Sequence, residues 1–120
     1  KRVLIVDDSS VARRRIQQTL TKLGFVDFTM AEDGLDGADR LKQEPFDLVI
    51  TDYNMPRMDG EQFVSWIRTE SSHRELPVVM VTTEFDPTKL AQVYQLGVSA
   101  ICGKSFEPDQ VRNILVRLFL

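Results

Sequence analysis

The chain has 120 residues, 42% of them hydrophobic and 28% charged, with a net charge of −3 and a pI of about 5.1. That mix predicts one compact domain, residues 1–120, that builds a single core without staples, and its acidic balance argues against a nucleic-acid-binding surface. The lone cysteine, Cys102, excludes an internal disulfide; no apolar run is long enough to span a bilayer, and no signal peptide is visible. A cytoplasmic compartment is the simplest expectation. The absence of an initiator Met before Lys1 fits a chain cut from a longer protein.

Arg2-Val3-Leu4-Ile5-Val6 is a short apolar run closed by Asp7-Asp8 and predicts the first strand. Ser9 or Ser10 can cap the helix that follows, in which Ala12, Ile16, Leu20 and Leu23 recur at helical spacing until Gly24. Arg13-Arg14-Arg15 is the only basic run and reads as a solvated face of that helix. Phe25 to Ala31 predicts a second strand, more polar and suited to an edge. Asp33 can cap a second helix carrying Leu35, Ala38 and Leu41, which Pro45 ends. Asp47 to Asp52 predicts the third strand. Asp59-Gly60 opens a third helix with Phe63, Val64 and Ile67 on one face.

Glu70 to Glu75 reads as a polar loop in which His73 is exposed to solvent. Pro77 to Thr82 predicts the fourth strand. Asp86-Pro87 fits an N-cap followed by proline at the first helical position. Leu90, Val93 and Leu96 follow, and Gly97 stops that helix. Val98 to Gly103 predicts the fifth strand, with Cys102 as a small buried residue. Pro108 can start a last helix with Val111, Ile114, Leu115 and Leu118 as its stripe.

Five strands alternating with five helices imply right-handed βαβ units and a parallel sheet covered on both faces. The expected fold is therefore α/β, a doubly wound five-stranded sheet of the flavodoxin-like kind, in the order 2-1-3-4-5. In such a sheet every strand ends on one edge, and ligands bind there where the strand order reverses, between strands 1 and 3. Strand 1 ends in Asp7-Asp8, strand 3 in Asp52, strand 4 in Thr82-Thr83 and strand 5 near Lys104. Each has a plain structural reading: Asp7-Asp8 can cap a helix, Thr82 can be an ordinary strand residue, and Lys104 an exposed lysine. Their meeting at one edge is what calls for more.

Crowded carboxylates raise one another's pKa unless a cation joins them. An all-oxygen set suits Mg²⁺, which takes few carboxylates and keeps room for water and phosphate oxygens. A lysine ammonium and a threonine hydroxyl can bind two phosphoryl oxygens. Asp52, between strands 1 and 4, is the natural nucleophile, because carboxylates form acyl-phosphates. Metal and Lys104 would then share the charge of the transferring group. No P-loop or GxGxxG signature occurs, and Asp7-Asp8-Ser9 is not the Asp-x-Asp of an aspartyl-phosphate phosphatase.

These residues resemble the receiver domains of two-component response regulators, over essentially the whole chain. The motifs are the acidic pair Asp7-Asp8 after an apolar strand, Asp52-Tyr53-Asn54-Met55-Pro56-Arg57-Met58-Asp59-Gly60, Thr82 closing strand 4, and Lys104 followed one residue later by Phe106. The resemblance implies that Asp52 is the phosphoacceptor and that Asp7, Asp8, Asp52 and the main-chain carbonyl of Asn54 form the Mg²⁺ site, with Asp8 the more direct ligand. It implies Thr82 as the switch hydroxyl and Lys104 as the partner of the phosphoryl group. It implies a phosphohistidine donor on a sensor histidine kinase or phosphotransfer protein, no enzyme activity beyond self-phosphorylation and slow dephosphorylation, and a response through helix 4, strand 5 and helix 5. That face would serve an output domain or target protein, or a phosphorylation-dependent dimer. Residues 1–120 are expected to hold the receiver domain alone, with any output domain either cut away or never present, and no membrane or nucleic-acid contact is implied.

Three positions depart from the family's habit. Ile101 stands where an aromatic residue usually reports the state of the threonine. Ser105 replaces a proline after the lysine, and a trans Lys104–Ser105 peptide is expected because a cis bond there would cost about 2.5–4 kcal/mol. Thr83 is bulkier than the common alanine and is expected to narrow access, with Asn54 and Glu84 flanking the same opening. The competing reading is a constitutive receiver-like interaction module without phosphotransfer.

Overall fold

The computed structural model describes residues 1–69, 72–83 and 86–120. Strands β1 (Arg2–Val6), β2 (Asp27–Ala31), β3 (Leu48–Asp52), β4 (Val78–Thr82) and β5 (Ala100–Gly103) form one parallel sheet in the order β2-β1-β3-β4-β5. Helices α1 (Ser10–Lys22), α2 (Gly34–Gln43), α3 (Gly60–Thr69), α4 (Pro87–Gln95) and α5 (Pro108–Phe119) cover its two faces. This is the doubly wound arrangement expected from the alternation of apolar runs and helical stripes.

Period-two alternation divides the core. Leu4, Val6, Val49, Val78 and Met80 point to one face, where they meet Ala38 and Leu41 of α2, Phe63, Val64 and Ile67 of α3, and Val93 of α4. Val3, Ile5, Leu48, Ile50, Val79 and Val81 point to the other, against Ile16 and Leu20 of α1 and Val111, Ile114 and Leu115 of α5. The central strands β3 and β4 are buried along their whole length, whereas β2 is buried only at Ala31, which makes it the solvated edge. Cys102 is buried, and burial pushes its thiol up to about 12, so it stays a neutral packing group.

The helix starts follow their caps. Ser9, not Ser10, caps α1 by accepting from Ala12 N–H, Asp33 caps α2 through Asp36 N–H, and Asp86 caps α4 through Thr88 N–H. Asp59 and Gln62 cap α3 reciprocally, each main-chain N–H bonded to the other's side chain. Glu107 caps α5, a role its sequence position beside Pro108 left unannounced.

Four expectations change. Phe25 and Val26 lie outside β2: Phe25 N–H closes the end of α1 on Leu20 O, and Val26 is exposed. Leu35 is exposed, because α2 turns Gly34, Gly37, Ala38 and Leu41 inward. Val98 and Ser99 precede β5, and Ser99 alone still pairs with β4, its N–H donating to Val78 O and its Oγ accepting from Val78 N–H. His73 is half-buried, with Nε2 3.0 Å from the Leu41 carbonyl at the end of α2, so it bridges the loop to that helix. Glu70 of the expected loop lies outside the described residues.

Candidate functional site

β1 and β3 are neighbours, yet the chain leaves them toward opposite faces, to α1 and to α3. The crevice this opens at the carboxyl edge receives Asp7, directly after β1, and Asp52, the last residue of β3. Both side chains are buried. Lys104, just past β5, reaches across the edge and places Nζ 2.9 Å from Asp7 Oδ2 and 2.9 Å from Asp52 Oδ1. Ser9 N–H donates to Asp7 Oδ1 at 2.9 Å, so both oxygens of Asp7 are engaged. Tyr53 N–H donates to Asp52 Oδ1 at 2.8 Å. No hydrogen bond from the described residues reaches Asp52 Oδ2.

Burial pushes the Asp52 carboxyl up, the Lys104 hydrogen bond pulls against the rise, and the charge of Asp7 adds to it. Burial works against the Lys104 ammonium, but Asp52 and Asp7 outweigh it and hold its pKa above the ordinary lysine value. Asp8 is exposed, and one ligand oxygen from each of Asp7, Asp8 and Asp52 lies within 4.8 Å of the others. Three carboxylates thus face one ammonium. The surplus negative charge, the all-oxygen donors and the exposed Asp8 fit a hard divalent cation such as Mg²⁺.

The loop after β3 is fixed at both ends. Gly60 N–H donates to Tyr53 O at 2.9 Å, and a Cβ at Gly60 would come within 2.5 Å of Asp52 O, so only glycine lets α3 start this close to the acceptor strand. On the other side, Gly34 N–H donates to Met58 O at 3.0 Å, and Arg57 Nε lies 2.6 Å from Asp33 Oδ2. A Cβ at Gly34 would meet Met58 Cγ at 2.6 Å. Burial works against ionised Asp33, but the Arg57 hydrogen bond and the helical N–H of Asp36 outweigh it and hold its carboxyl below the usual range. Asn54 rides this loop and is exposed.

Thr82 is buried at the end of β4, in register with Gly103 of β5, and Val81 beside it is in register with Asp52. The structure therefore brings Asp7, Asp8, Asp52, Thr82 and Lys104 to one edge. Thr83 is exposed next to Thr82, Glu84 lies outside the described residues, and Ile101 is half-buried against the α2–α3–α4 side of the core. The Lys104–Ser105 peptide is trans, and Phe106 beyond it is buried with φ 51°.

Three features were not legible. Arg13 is not simply solvated: its Nη1 donates to the Asp7 main-chain oxygen at 2.5 Å and pins the end of β1 to α1. Asp33 and Arg57 are too far apart in sequence for local spacing to pair them. The third lies on the α4 side. Tyr53 Oη donates to Glu61 Oε1 at 2.6 Å, Lys89 Nζ lies 3.2 Å from the same oxygen, and the Lys89 ammonium stands 5.6 Å from the Tyr53 ring centre. The Tyr53 bond holds the Glu61 carboxyl down, while burial and Glu61 push the Tyr53 hydroxyl up.

Comparison with known proteins agrees with this geometry. Residues 3–116 match the family model described as the response regulator receiver domain. A chemotaxis protein CheY homolog of Campylobacter jejuni is 39% identical over 115 residues, 95% of this chain and 88% of that protein. Chemotaxis protein CheY-3 of Vibrio cholerae is 36% identical over 98% of this chain and 91% of its own. The crystal structure of the chemotaxis response regulator CheY4 of Vibrio cholerae superposes with a TM-score of 0.88 at 33% identity, covering 98% of both chains. With the acidic pair, the strand-end aspartate and the bridging lysine in place, the chain belongs to the response regulator receiver domains.

Proposed function

We propose that this domain is a phosphorylation-dependent signalling switch in which Asp52 accepts a phosphoryl group from a phosphohistidine on a sensor kinase or phosphotransfer protein. The observation that carries the proposal is the bracketing of Asp52: Lys104 and Tyr53 N–H hold Oδ1, which leaves Oδ2 outside those bonds as the attacking atom. Oδ2 bonds to phosphorus as the donor's phosphorus–nitrogen bond breaks, and that electron pair leaves with the imidazole. Attack by water on phosphorus later returns the carboxylate and inorganic phosphate.

Asp7, Asp8, Asp52 and the Asn54 carbonyl would hold Mg²⁺, with Asp8 the more direct ligand, and the bound ion would neutralise charge on the transferring group. Lys104 already touches both buried carboxylates and would follow the new charge. The Thr82 hydroxyl would bond a phosphoryl oxygen, drawing on β4 and α4, so that partner binding changes at the α4–β5–α5 face. The protein is then a phosphoacceptor, not a turnover enzyme, and its donor and target act in the cytoplasm.

Intact mass after incubation with acetyl phosphate tests this, with Mg²⁺ or chelator and beside Asp52→Asn. One added phosphoryl group that requires both Mg²⁺ and Asp52 is the expected result. Labelling of Asp52→Asn at wild-type level would discard the acceptor, and no labelling of folded, Mg²⁺-bound wild type would leave a constitutive interaction module.

A further inference from the structure

α4 is the least anchored helix. It buries one residue, Val93, whereas α1, α2, α3 and α5 each bury three or four. Its first turn is tied instead by polar contacts, through Lys89 to Glu61 of α3 and over the ring of Tyr53. Tyr53 is also the residue whose N–H holds Asp52 Oδ1. One residue thus touches the acceptor carboxylate with its main chain and the α3–α4 tie with its hydroxyl and ring. Tyr53, Thr82, Lys89, Leu90 and Val93 moreover border one tight seam between β4 and α4, with no room for a water molecule. Any movement of Thr82 changes the space against which Tyr53 and α4 pack.

Ile101 cannot do what a ring at its position would. It has no aromatic plane and no hydroxyl, and it already packs into the core. Among the described residues, the aromatic group that borders both Thr82 and α4 is Tyr53. We infer that Tyr53, Glu61 and Lys89 are positioning residues that set the resting place of α4 and carry the state of Asp52 to it. The second half of this inference rests on the phosphoacceptor role of Asp52; the first half does not.

Occupying the site would redirect Lys104 and the Tyr53 N–H, since Asp52 Oδ1 no longer carries the carboxylate charge they share. A shift of the Tyr53 backbone moves its hydroxyl relative to Glu61. Lys89 then loses one of its two supports, and the first turn of α4 is freed. A helix with a single buried anchor is the element that such a small change can release.

Hydrogen exchange of α4 amides 88–95 tests the inference, on the protein with and without Mg²⁺ and beryllofluoride as a phosphoryl mimic. Lys89→Met should speed resting exchange of α4 roughly threefold, the scale of a half-exposed ion pair, and leave α1 and α5 unchanged. It should also shrink the change that beryllofluoride produces in α4, while phosphoryl uptake by mass stays at the wild-type level. Lys89→Arg should restore both readouts, and Tyr53→Phe combined with Lys89→Met should add little to either alone, because the three groups act as one unit. Wild-type exchange in Lys89→Met would overturn the inference. Faster resting exchange with a full beryllofluoride response would overturn the link to Asp52 and leave only a structural tie. A wild type that neither responds to beryllofluoride nor takes up phosphoryl, beside a loosened Lys89→Met, would overturn the function proposed above and uphold the tie.

Discussion

At the β1–β3 edge, Asp7 and Asp52 are buried, each accepts a main-chain N–H, and one lysine bridges them. Across β4, α4 rests on Val93 and a partly exposed ion pair. The first region is over-determined: a group that moves there breaks several bonds at once. The second is under-determined, and small changes in polar contacts decide its position. Chemistry that must place a carboxylate within bond-forming distance needs the first kind of support, and a response that must shift by a few ångströms needs the second.

Crowding the rigid side should cost the most stability. Gly60→Ala would place a Cβ 2.5 Å from Asp52 O and 2.9 Å from Tyr53 Cα, both main-chain atoms that cannot rotate away. We expect a loss of about 3 kcal/mol in urea unfolding, the scale of a clash against fixed backbone. A loss below about 1 kcal/mol would show that the acceptor strand can give, and that the edge is softer than its contacts indicate.

Lys104→Met tests the ionic bracket with a smaller effect. Removing the ammonium leaves two buried carboxylates facing each other, and we expect a deficit of about 2 kcal/mol at neutral pH, less than for a fully buried pair because Lys104 is 31% exposed. The Asp52 carboxyl is already pushed up by burial and by Asp7, and losing Lys104 raises it further. An acid whose folded pKa lies above its unfolded value binds its proton more tightly when folded, so stability falls as pH rises through that range. The deficit should therefore shrink toward pH 4, and added Mg²⁺ should reduce it at neutral pH. Denaturation midpoints measured across pH, with and without Mg²⁺, check both; a deficit independent of both would mean that Lys104 acts by packing alone.

The rigid side was largely legible in the sequence and the soft side was not, for a physical reason. Strand ends and periodic stripes are local, so β1 through β5, the order of the sheet and the meeting of Asp7, Asp8, Asp52, Thr82 and Lys104 follow from runs of apolar residues and where they stop. The stripe Leu90, Val93, Leu96 announced α4 but overstated its anchorage, since Val93 alone is buried in the helix. Glu61 and Lys89, or Asp33 and Arg57, are ordinary surface charges until the fold brings them together. Leu35 misled because Gly34 and Gly37, which carry no hydrophobic signal, face inward on α2. Arg13 was hidden in a basic run whose neighbours Arg14 and Arg15 are exposed.

The smallest expected effect falls where the two kinds of support meet, at the clip between Arg57 and Asp33. The carboxylate is buried, but the guanidinium side chain is 60% exposed, so solvent screens the pair and about 1 kcal/mol is the most it should contribute. Asp33→Asn keeps an equally good cap for Asp36 N–H and removes the charge. The folded-state pKa of Asp33 lies below its unfolded value, so its contribution is complete above the ordinary carboxylate range and is lost as pH falls through the folded value. Asp33→Asn should thus be about 1 kcal/mol less stable than wild type above pH 5 and converge with it as pH approaches 2. Because Arg57 and Met58 hold the loop that carries Asn54, the same variant should weaken Mg²⁺ binding slightly, by about twofold to fivefold in titration, without abolishing it. Mg²⁺ affinity unchanged beside a full loss of stability would place the clip in folding alone, and the over-determined region would then end at Gly60 instead of reaching α2.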